Sequence, residues 1–121
     1  MKLTDNWKTP IWFKTVFSEA QNFTDPLPPN FITDFLKEEY PTQSLFINPP
    51  YSNPLPFVQK AIEQHGKYHN PIILLLKLDT TTKWWLALEQ ADAHFLYCRE
   101  RLHYSEEGPS PFSSVLAILS D

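Results

Sequence analysis

The sequence contains little glycine and cysteine and has no long apolar run. Gly66 and Gly108 are its two glycines, so the glycine-rich turn that lets a backbone approach a nucleotide phosphate is absent. The single cysteine, Cys98, excludes a disulfide framework and fits a reducing compartment. No stretch approaches the roughly 20 apolar residues of a membrane span, and the charged residues 1–5 are unlike a signal peptide. We therefore expect a soluble, cytoplasmic protein with no membrane partner.

A surplus of positive charge is also missing. Ten Lys and Arg against 14 Asp and Glu give a formal net charge of −4, and the pI is near 5.5. Non-specific affinity for nucleic acid comes from clustered Lys and Arg, so the surface is not built mainly for phosphate contacts. Lysines nevertheless outnumber acidic residues between Lys60 and Lys83, which indicates a basic edge in this part of the chain.

The chain is poor in glycine but rich in proline and aromatic residues. The chain has 12 prolines and is 15% aromatic, so we expect loops that are stiffened by proline and filled by rings. An apolar content of 42% in 121 residues is enough for one hydrophobic core, and it predicts a single domain.

Hydrophobic periodicity predicts strands that alternate with helices. Thr9-Pro10 supplies an N-cap hydroxyl and a proline at the first helical position of a helix over 10–18. Proline-rich residues 21–29 predict a loop with room for a short strand. The remaining predicted helices span 31–40, 55–65 and 80–90, and the predicted strands span 44–48, 72–76, 93–98 and 114–119. This alternation favours a parallel sheet that is buried on both faces.

The motif Asn48-Pro49-Pro50-Tyr51 follows a predicted buried strand. Its two prolines restrict the backbone, and open α/β sheets place ligand sites at the carboxyl ends of strands. The Asn amide accepts from a substrate amino group, and the Tyr ring supplies a flat face for a planar base or amide. The motif is the pattern of the amino-methyltransferases, although the same four residues also fit an ordinary proline-rich turn.

Five sequence blocks in order resemble the phage-type DNA N6-adenine methyltransferase family over nearly the whole chain. The blocks are residues 5–10, 48–52, 60–61, 80–85, and 101–104 before 110–114. The resemblance implies a reduced Rossmann-like methyltransferase fold with a mostly parallel sheet, S-adenosylmethionine as cofactor and DNA as partner. It also implies action in the host cell cytoplasm if the protein is viral.

The resemblance implies a role for three groups of residues. The Asn-Pro-Pro-Tyr loop that receives the target adenine supplies the expected catalytic residues, which are Asn48, Pro49, Pro50 and Tyr51. The expected cofactor-binding residues lie near the N-terminus and are Asp5, Trp7, Thr9, Pro10 and Asp25. The expected substrate-binding residues are Ser52, Lys83 and Arg101. No metal is expected. The two Asp residues also fit a helix cap or a turn.

The segment between Pro10 and Asn48 is short for a cofactor-binding half. A single strand–helix–strand unit takes roughly 30 residues, so several such units do not fit. We expect one methyltransferase-like domain over 1–121 with a shortened cofactor-binding half, and a homodimer that covers the apolar surface left near the sheet edge. Two alternatives stay open: an RNA-amine or protein-amide methyltransferase, and a non-enzymatic relic of the fold that acts as a binding or assembly module.

A histidine pair and a tryptophan pair each have both a functional and a structural interpretation. His65 and His69 have the spacing of a metal-binding pair on one helix face, but Gly66 and Pro71 favour a fraying helix end. The adjacent residues Trp84-Trp85 suit stacking on bases. Neighbouring helix positions face different directions, however, so at least one of the two rings is expected in the core.

Overall fold

The computed structural model describes residues 23–24, 35–97 and 113–121. In these ranges the chain forms five strands and two helices. In chain order they are β1 (Phe23–Thr24), β2 (Ser44–Ile47), α1 (Leu55–Tyr68), β3 (Ile72–Lys77), α2 (Lys83–Gln90), β4 (His94–Tyr97) and β5 (Ser114–Leu119). The helix predicted over 10–18 lies outside the described residues.

The five strands form one mixed sheet in the order β1-β2-β3-β5-β4. β1, β2 and β3 pair in parallel, whereas β5 is antiparallel to both β3 and β4. β4 therefore runs in the same direction as β1, β2 and β3, and β5 runs against all four. The expectation of a mostly parallel sheet is wrong, because the apolar run at 114–119 indicates burial on two faces but carries no information on strand direction.

Both faces of the sheet are covered by apolar side chains. Successive strand residues point to opposite faces, so Leu45 and Ile47 join one cluster while Phe46 joins another. The larger cluster includes the buried side chains of α1 and α2. The smaller cluster consists of Phe46, Ile73, Leu75 and Leu116. The two-sided burial predicted for 72–76 is confirmed.

α1 is longer than its sequence predicts. Proline occupies the start of the helix, where its missing N–H costs nothing. The helix continues through Gly66 to Tyr68, and His69 ends it in the left-handed conformation at φ 60°. The backbone N–H of His69 donates to the His65 carbonyl at 2.8 Å. The predicted end at residue 65 is therefore wrong, since one glycine weakens a helix by only about 1 kcal/mol.

Of the helix predicted over 31–40, residues 31–34 lie outside the described residues, Phe35 is helical and residues 36–40 are not, so the prediction that the helix reaches Tyr40 is wrong. Phe35 is fully buried and stacks on Phe57 of α1 with ring centroids 6.0 Å apart. Beyond it, the backbone N–H of Tyr40 donates to Gln64 Oε1 at 2.9 Å. The Tyr40 N–H therefore bonds to Gln64 of α1 and is not available for the backbone hydrogen bond that a helix extending to residue 40 would form.

α2 begins at Lys83 because Thr82 caps it. Thr82 Oγ1 accepts a hydrogen bond from the Trp85 backbone N–H at 3.3 Å, as an N-cap residue does. Trp84 and Trp85 are both buried, and Trp85 stacks on Phe95 at 4.5 Å. The prediction that at least one of the two rings lies in the core is confirmed. Neither described helix has the length and apolar composition that a membrane crossing requires.

Candidate active site

The Asn48–Tyr51 loop leaves the sheet at the carboxyl end of β2. Because β2 and β3 are parallel, the loop that follows β3 leaves the same edge of the sheet. Pro49 is buried, and Asn48 and Tyr51 are half-buried. The Asn48 side-chain oxygen Oδ1 is buried and accepts no hydrogen bond from another described residue, and Asn48 has other interactions. The predicted position of this motif at a strand end is confirmed.

A cavity of about 170 Å³ lies between the two loops. One wall comes from the loop after β2, and the other comes from the end of β3 and the start of α2. The lining residues are Tyr51, Ser52, Pro54, Leu76, Lys77, Asp79, Thr82 and Trp84. Pockets for drug-sized ligands enclose roughly 300–1,000 Å³, so this cavity suits one planar ring system rather than a whole nucleoside cofactor.

The loop between β3 and α2 is fixed by its own hydrogen bonds. Asp79 Oδ1 accepts from the Thr81 backbone N–H at 3.1 Å and from Thr81 Oγ1 at 2.6 Å. Thr82 Oγ1 donates to the Asp79 carbonyl at 3.0 Å. Such local bonds give the loop an alternative to helix or strand, which explains why the helix predicted from residue 80 starts only at Lys83.

The carboxylate of Asp79 stays ionised in this setting. The hydrogen bonds from the side chain and backbone of Thr81 lower its pKa below the usual 3.8, and the positive charge of Lys77 lowers it further. Asp79 is half-buried, whereas Lys77 is exposed. The cavity therefore combines aromatic walls with the fixed negative charge of Asp79 and the positive charge of the more exposed Lys77.

The predicted substrate-binding residues differ in their relation to the cavity. Ser52 is exposed and lines it. Lys83 is exposed and begins α2, between the lining residues Thr82 and Trp84. Several predicted site residues lie outside the described residues: Asp5, Trp7, Thr9, Pro10, Asp25 and Arg101.

The sequence reasoning missed Lys77, Asp79 and Thr82 as lining residues. A signal was present, because Asp79 and three threonines directly follow a buried strand, and polar residues at a strand end lie at the ligand edge of an α/β sheet. Trp84 was considered for stacking on bases, and it does line the cavity.

The histidine pair of α1 contacts a carboxylate. His65 Nε2 and His69 Nδ1 lie 3.3 and 3.2 Å from Asp121 Oδ1, and His65 Nδ1 lies 3.1 Å from the Asn70 carbonyl. No group of three or more His, Cys, Asp or Glu within the described ranges is arranged to hold a metal ion. The pair thus joins the end of α1 to the residues after β5.

Residues 1–111 match the family model described as DNA N-6-adenine-methyltransferase (Dam). The chain belongs to the DNA N-6-adenine-methyltransferase family. The family match includes both cavity loops and ends before β5. The resemblance that the sequence blocks indicated is confirmed.

Two phage proteins named DNA N-6-adenine-methyltransferase are similar to this member of the family. The one from Haemophilus phage HP1 is 34% identical over 97 residues, which are 67% of this chain and 54% of the phage protein. The one from Escherichia phage T1 is 38% identical over 64 residues, which are 53% of this chain and 26% of the phage protein. The chain thus spans about half the length of the first relative and about a quarter of the second.

Proposed function

We propose that this protein is a DNA methyltransferase that uses S-adenosylmethionine and acts on the N6 amine of adenine. The observation that carries the proposal is the cavity between the Asn48–Tyr51 loop and the β3–α2 loop, in a chain of this family. We further propose that the sheet is the core of a reduced Rossmann-like fold. The parallel pairing of β1, β2 and β3, with the cavity at their carboxyl ends, supports it.

Adenine inside a duplex is out of reach for this chemistry, so the target nucleotide flips out at a cost of a few kcal/mol. The flipped base enters the cavity and stacks on Tyr51. Asn48 accepts one hydrogen bond from the amine and, with the Pro49 carbonyl beside it, directs the lone pair. The protein accelerates the reaction mainly by positioning and by placing partial charges.

The cofactor needs a site beyond this cavity, which is too small to hold it. The carboxyl ends of β1 and β2 are neighbours in the sheet, and Asp25 follows β1 in the chain. We propose that Asp5, Trp7, Thr9, Pro10 and Asp25 hold the cofactor, which supplies an activated methyl group on sulfur. Asp5 or Asp25 would bind its ammonium or ribose hydroxyl groups.

Incorporation of tritiated methyl groups into adenine-containing DNA, single- and double-stranded, tests the activity. We expect incorporation by the wild-type protein and much slower turnover in Asn48→Ala, with little change in KM, because alignment of the amine is lost. The matched control is Asn53→Ala, an exposed asparagine of the same loop. Absence of incorporation by folded wild-type protein, or unchanged turnover in Asn48→Ala, would contradict the proposal.

Calorimetric titration with S-adenosylmethionine separates the enzyme from a non-enzymatic relic of the fold. We expect weak, measurable binding that is lost when Trp7→Ala and Thr9→Ala are combined. Undiminished binding in that variant would move the cofactor site elsewhere. Incorporation into RNA or a protein amide, but not into DNA, would favour the alternative methyltransferase substrates.

A further inference from the structure

Among the described residues that line the cavity, Asp79 is the one carboxylate, and it lines the same space as Tyr51. We propose that Asp79 selects a 6-amino purine over a 6-oxo purine by accepting a hydrogen bond from the exocyclic amine. The inference rests on the proposed function of this site and assigns its base selectivity to a residue outside the Asn-Pro-Pro-Tyr motif.

The two carboxylate oxygens of Asp79 have different surroundings. Both hydrogen bonds from Thr81 end on Oδ1, at 3.1 and 2.6 Å, and they fix the rotation of the carboxylate. Among the hydrogen bonds of the described residues, none ends on Oδ2. An ionised carboxylate is an acceptor only, so Oδ2 of this lining residue takes a donor and not a second acceptor.

The other polar groups of the cavity are less suited to this choice. Thr82 Oγ1 already donates to the Asp79 carbonyl and accepts from the Trp85 N–H. Lys77 and Ser52 are exposed to solvent. Asn48 precedes Tyr51 in the same loop but is not among the residues that line the cavity, and its amide has a donor end and an acceptor end, so it matches an amine in one orientation and a carbonyl in the other. Only a group that accepts hydrogen bonds and cannot donate one disfavours the carbonyl oxygen of a 6-oxo purine.

The charge of Asp79 also suits the reaction. As the N6 lone pair forms the new N–C bond, the S–C bond of the methyl donor breaks and its electron pair stays on sulfur. The positive charge passes to N6 until one N–H proton leaves to water. A fixed negative charge beside N6 therefore interacts more strongly with the transition state than with the neutral amine.

Competition between short single strands of deoxyadenosine and of deoxyinosine tests the proposal without knowledge of a recognition sequence. Hypoxanthine carries a carbonyl oxygen where adenine carries its amine. We expect the wild-type protein to prefer the deoxyadenosine strand by about 10-fold, because the half-buried carboxylate of Asp79 loses one charge-assisted hydrogen bond when the donor is absent. In Asp79→Asn we expect this preference to vanish or reverse.

The substitution Asp79→Asn changes the cavity without dismantling the loop. The amide oxygen stays with the two Thr81 donors, and the amide nitrogen replaces Oδ2 with a donor. A gain of deoxyinosine binding cannot come from misfolding. The matched control is Thr81→Val, which removes the 2.6 Å hydroxyl bond to Oδ1 but keeps the charge, and we expect it to retain the deoxyadenosine preference.

Equal affinity of the wild-type protein for the two strands, or no measurable binding of either, would overturn the proposal. An unchanged preference in Asp79→Asn would do the same. Methyl incorporation by a wild-type protein without the preference would leave the proposed function intact and refute the role of Asp79. A preference that Asp79→Asn abolishes, in a protein that does not methylate DNA, would support Asp79 and refute the enzymatic activity.

Discussion

At the scale of single residues, Asn48 and Tyr51 are held by different parts of the molecule. Asn48 lies between the buried residues Ile47 and Pro49 at the end of β2. The Tyr51 ring packs against the smaller core cluster and also lines the cavity. The neighbouring prolines restrict both backbones, so the Asn48–Tyr51 loop is ordered before any ligand arrives.

Removal of the Tyr51 ring is expected to weaken DNA binding. Stacking contributes roughly 1–3 kcal/mol per base, so Tyr51→Ala should raise KM for DNA by about 5- to 150-fold. Tyr51→Phe, which keeps the ring, is the control and should bind like wild type. Equal losses in the two variants would assign the effect to the hydroxyl group, and no loss in either would remove Tyr51 from the base site.

Among the described carboxylates, Glu39 has a pKa that the fold lowers strongly, so its titration is coupled to stability. Hydrogen bonds from Lys67 and Gln64, then the hydrogen bond and charge of Lys60, lower its pKa from 4.5 to about 2. A carboxylate whose pKa is lower in the folded state stabilises the fold above its unfolded pKa, and the contribution disappears as the pH falls through the folded pKa.

We therefore expect the contribution of Glu39 to be lost between about pH 4.5 and about pH 2. In Glu39→Gln, urea denaturation should show a smaller loss of stability across this window than in wild type. Glu38→Gln is the control, since Glu38 is an exposed neighbour without an ion pair among the described residues. Identical pH profiles for Glu39→Gln and wild type would refute the role of this ion-pair network.

At the scale of secondary structure elements, α2 has one face in the core and one in solvent. Leu88 is 0% exposed and Leu86 is 55% exposed. α2 also contributes Trp84 to the cavity. The packing of this short helix against the sheet consequently determines both the stability of the fold and the position of one cavity wall.

The two leucines give a matched pair of substitutions. Leu88→Ala should destabilise the protein by about 2–5 kcal/mol, as large-to-small changes in cores do. Leu86→Ala should change stability by no more than about 0.5 kcal/mol, as is usual for surface positions. Urea denaturation measures both. Similar losses in the two variants would mean that the exposed face of α2 is covered in solution.

The sequence predicted the strands better than the limits of the helices. Strands at 44–48, 72–76 and 114–119 were located within about one residue, because each is a continuous apolar run between polar or proline residues. The non-helical conformation of residues 36–40 was not predictable locally, since it depends on contacts of Glu39 and Tyr40 with α1.

In the candidate site, too, the features set by local sequence were predictable and those set by contacts between distant elements were not. The Asn48–Tyr51 loop was predictable because its prolines and its preceding strand act locally. Asp79 and Thr82 follow a buried strand, which is a local signal of a ligand edge, but their place beside the motif depends on the parallel pairing of β2 with β3. The roles of Asp25 and Arg101 stay predictions, because both lie outside the described residues.

At the scale of the whole molecule, β4 forms one edge of the sheet within the described residues. Its residues Leu96 and Tyr97 are 55% and 63% exposed. An edge strand with apolar side chains is suited to pair with another chain. This surface supports the proposal of a homodimer, in which two copies of β4 would meet across a twofold axis.

Light scattering at high micromolar concentration should give about twice the chain mass of 14.2 kDa. Leu96→Glu should shift the protein to monomer, because a charge in an apolar contact is costly. Leu36→Glu, at an exposed leucine outside the sheet, is the control and should stay dimeric. A monomer for the wild-type protein would contradict this assembly.

The position of β5 between β3 and β4 also has a consequence for the order of folding. β3 is synthesised well before β5, its antiparallel neighbour. Until residues 114–119 emerge from the ribosome, one edge of β3 is without that strand, and apolar strand edges promote aggregation. Long-range pairing of this kind slows folding, so co-translational chaperone contact should matter most in the interval between the synthesis of Lys77 and that of Ser114.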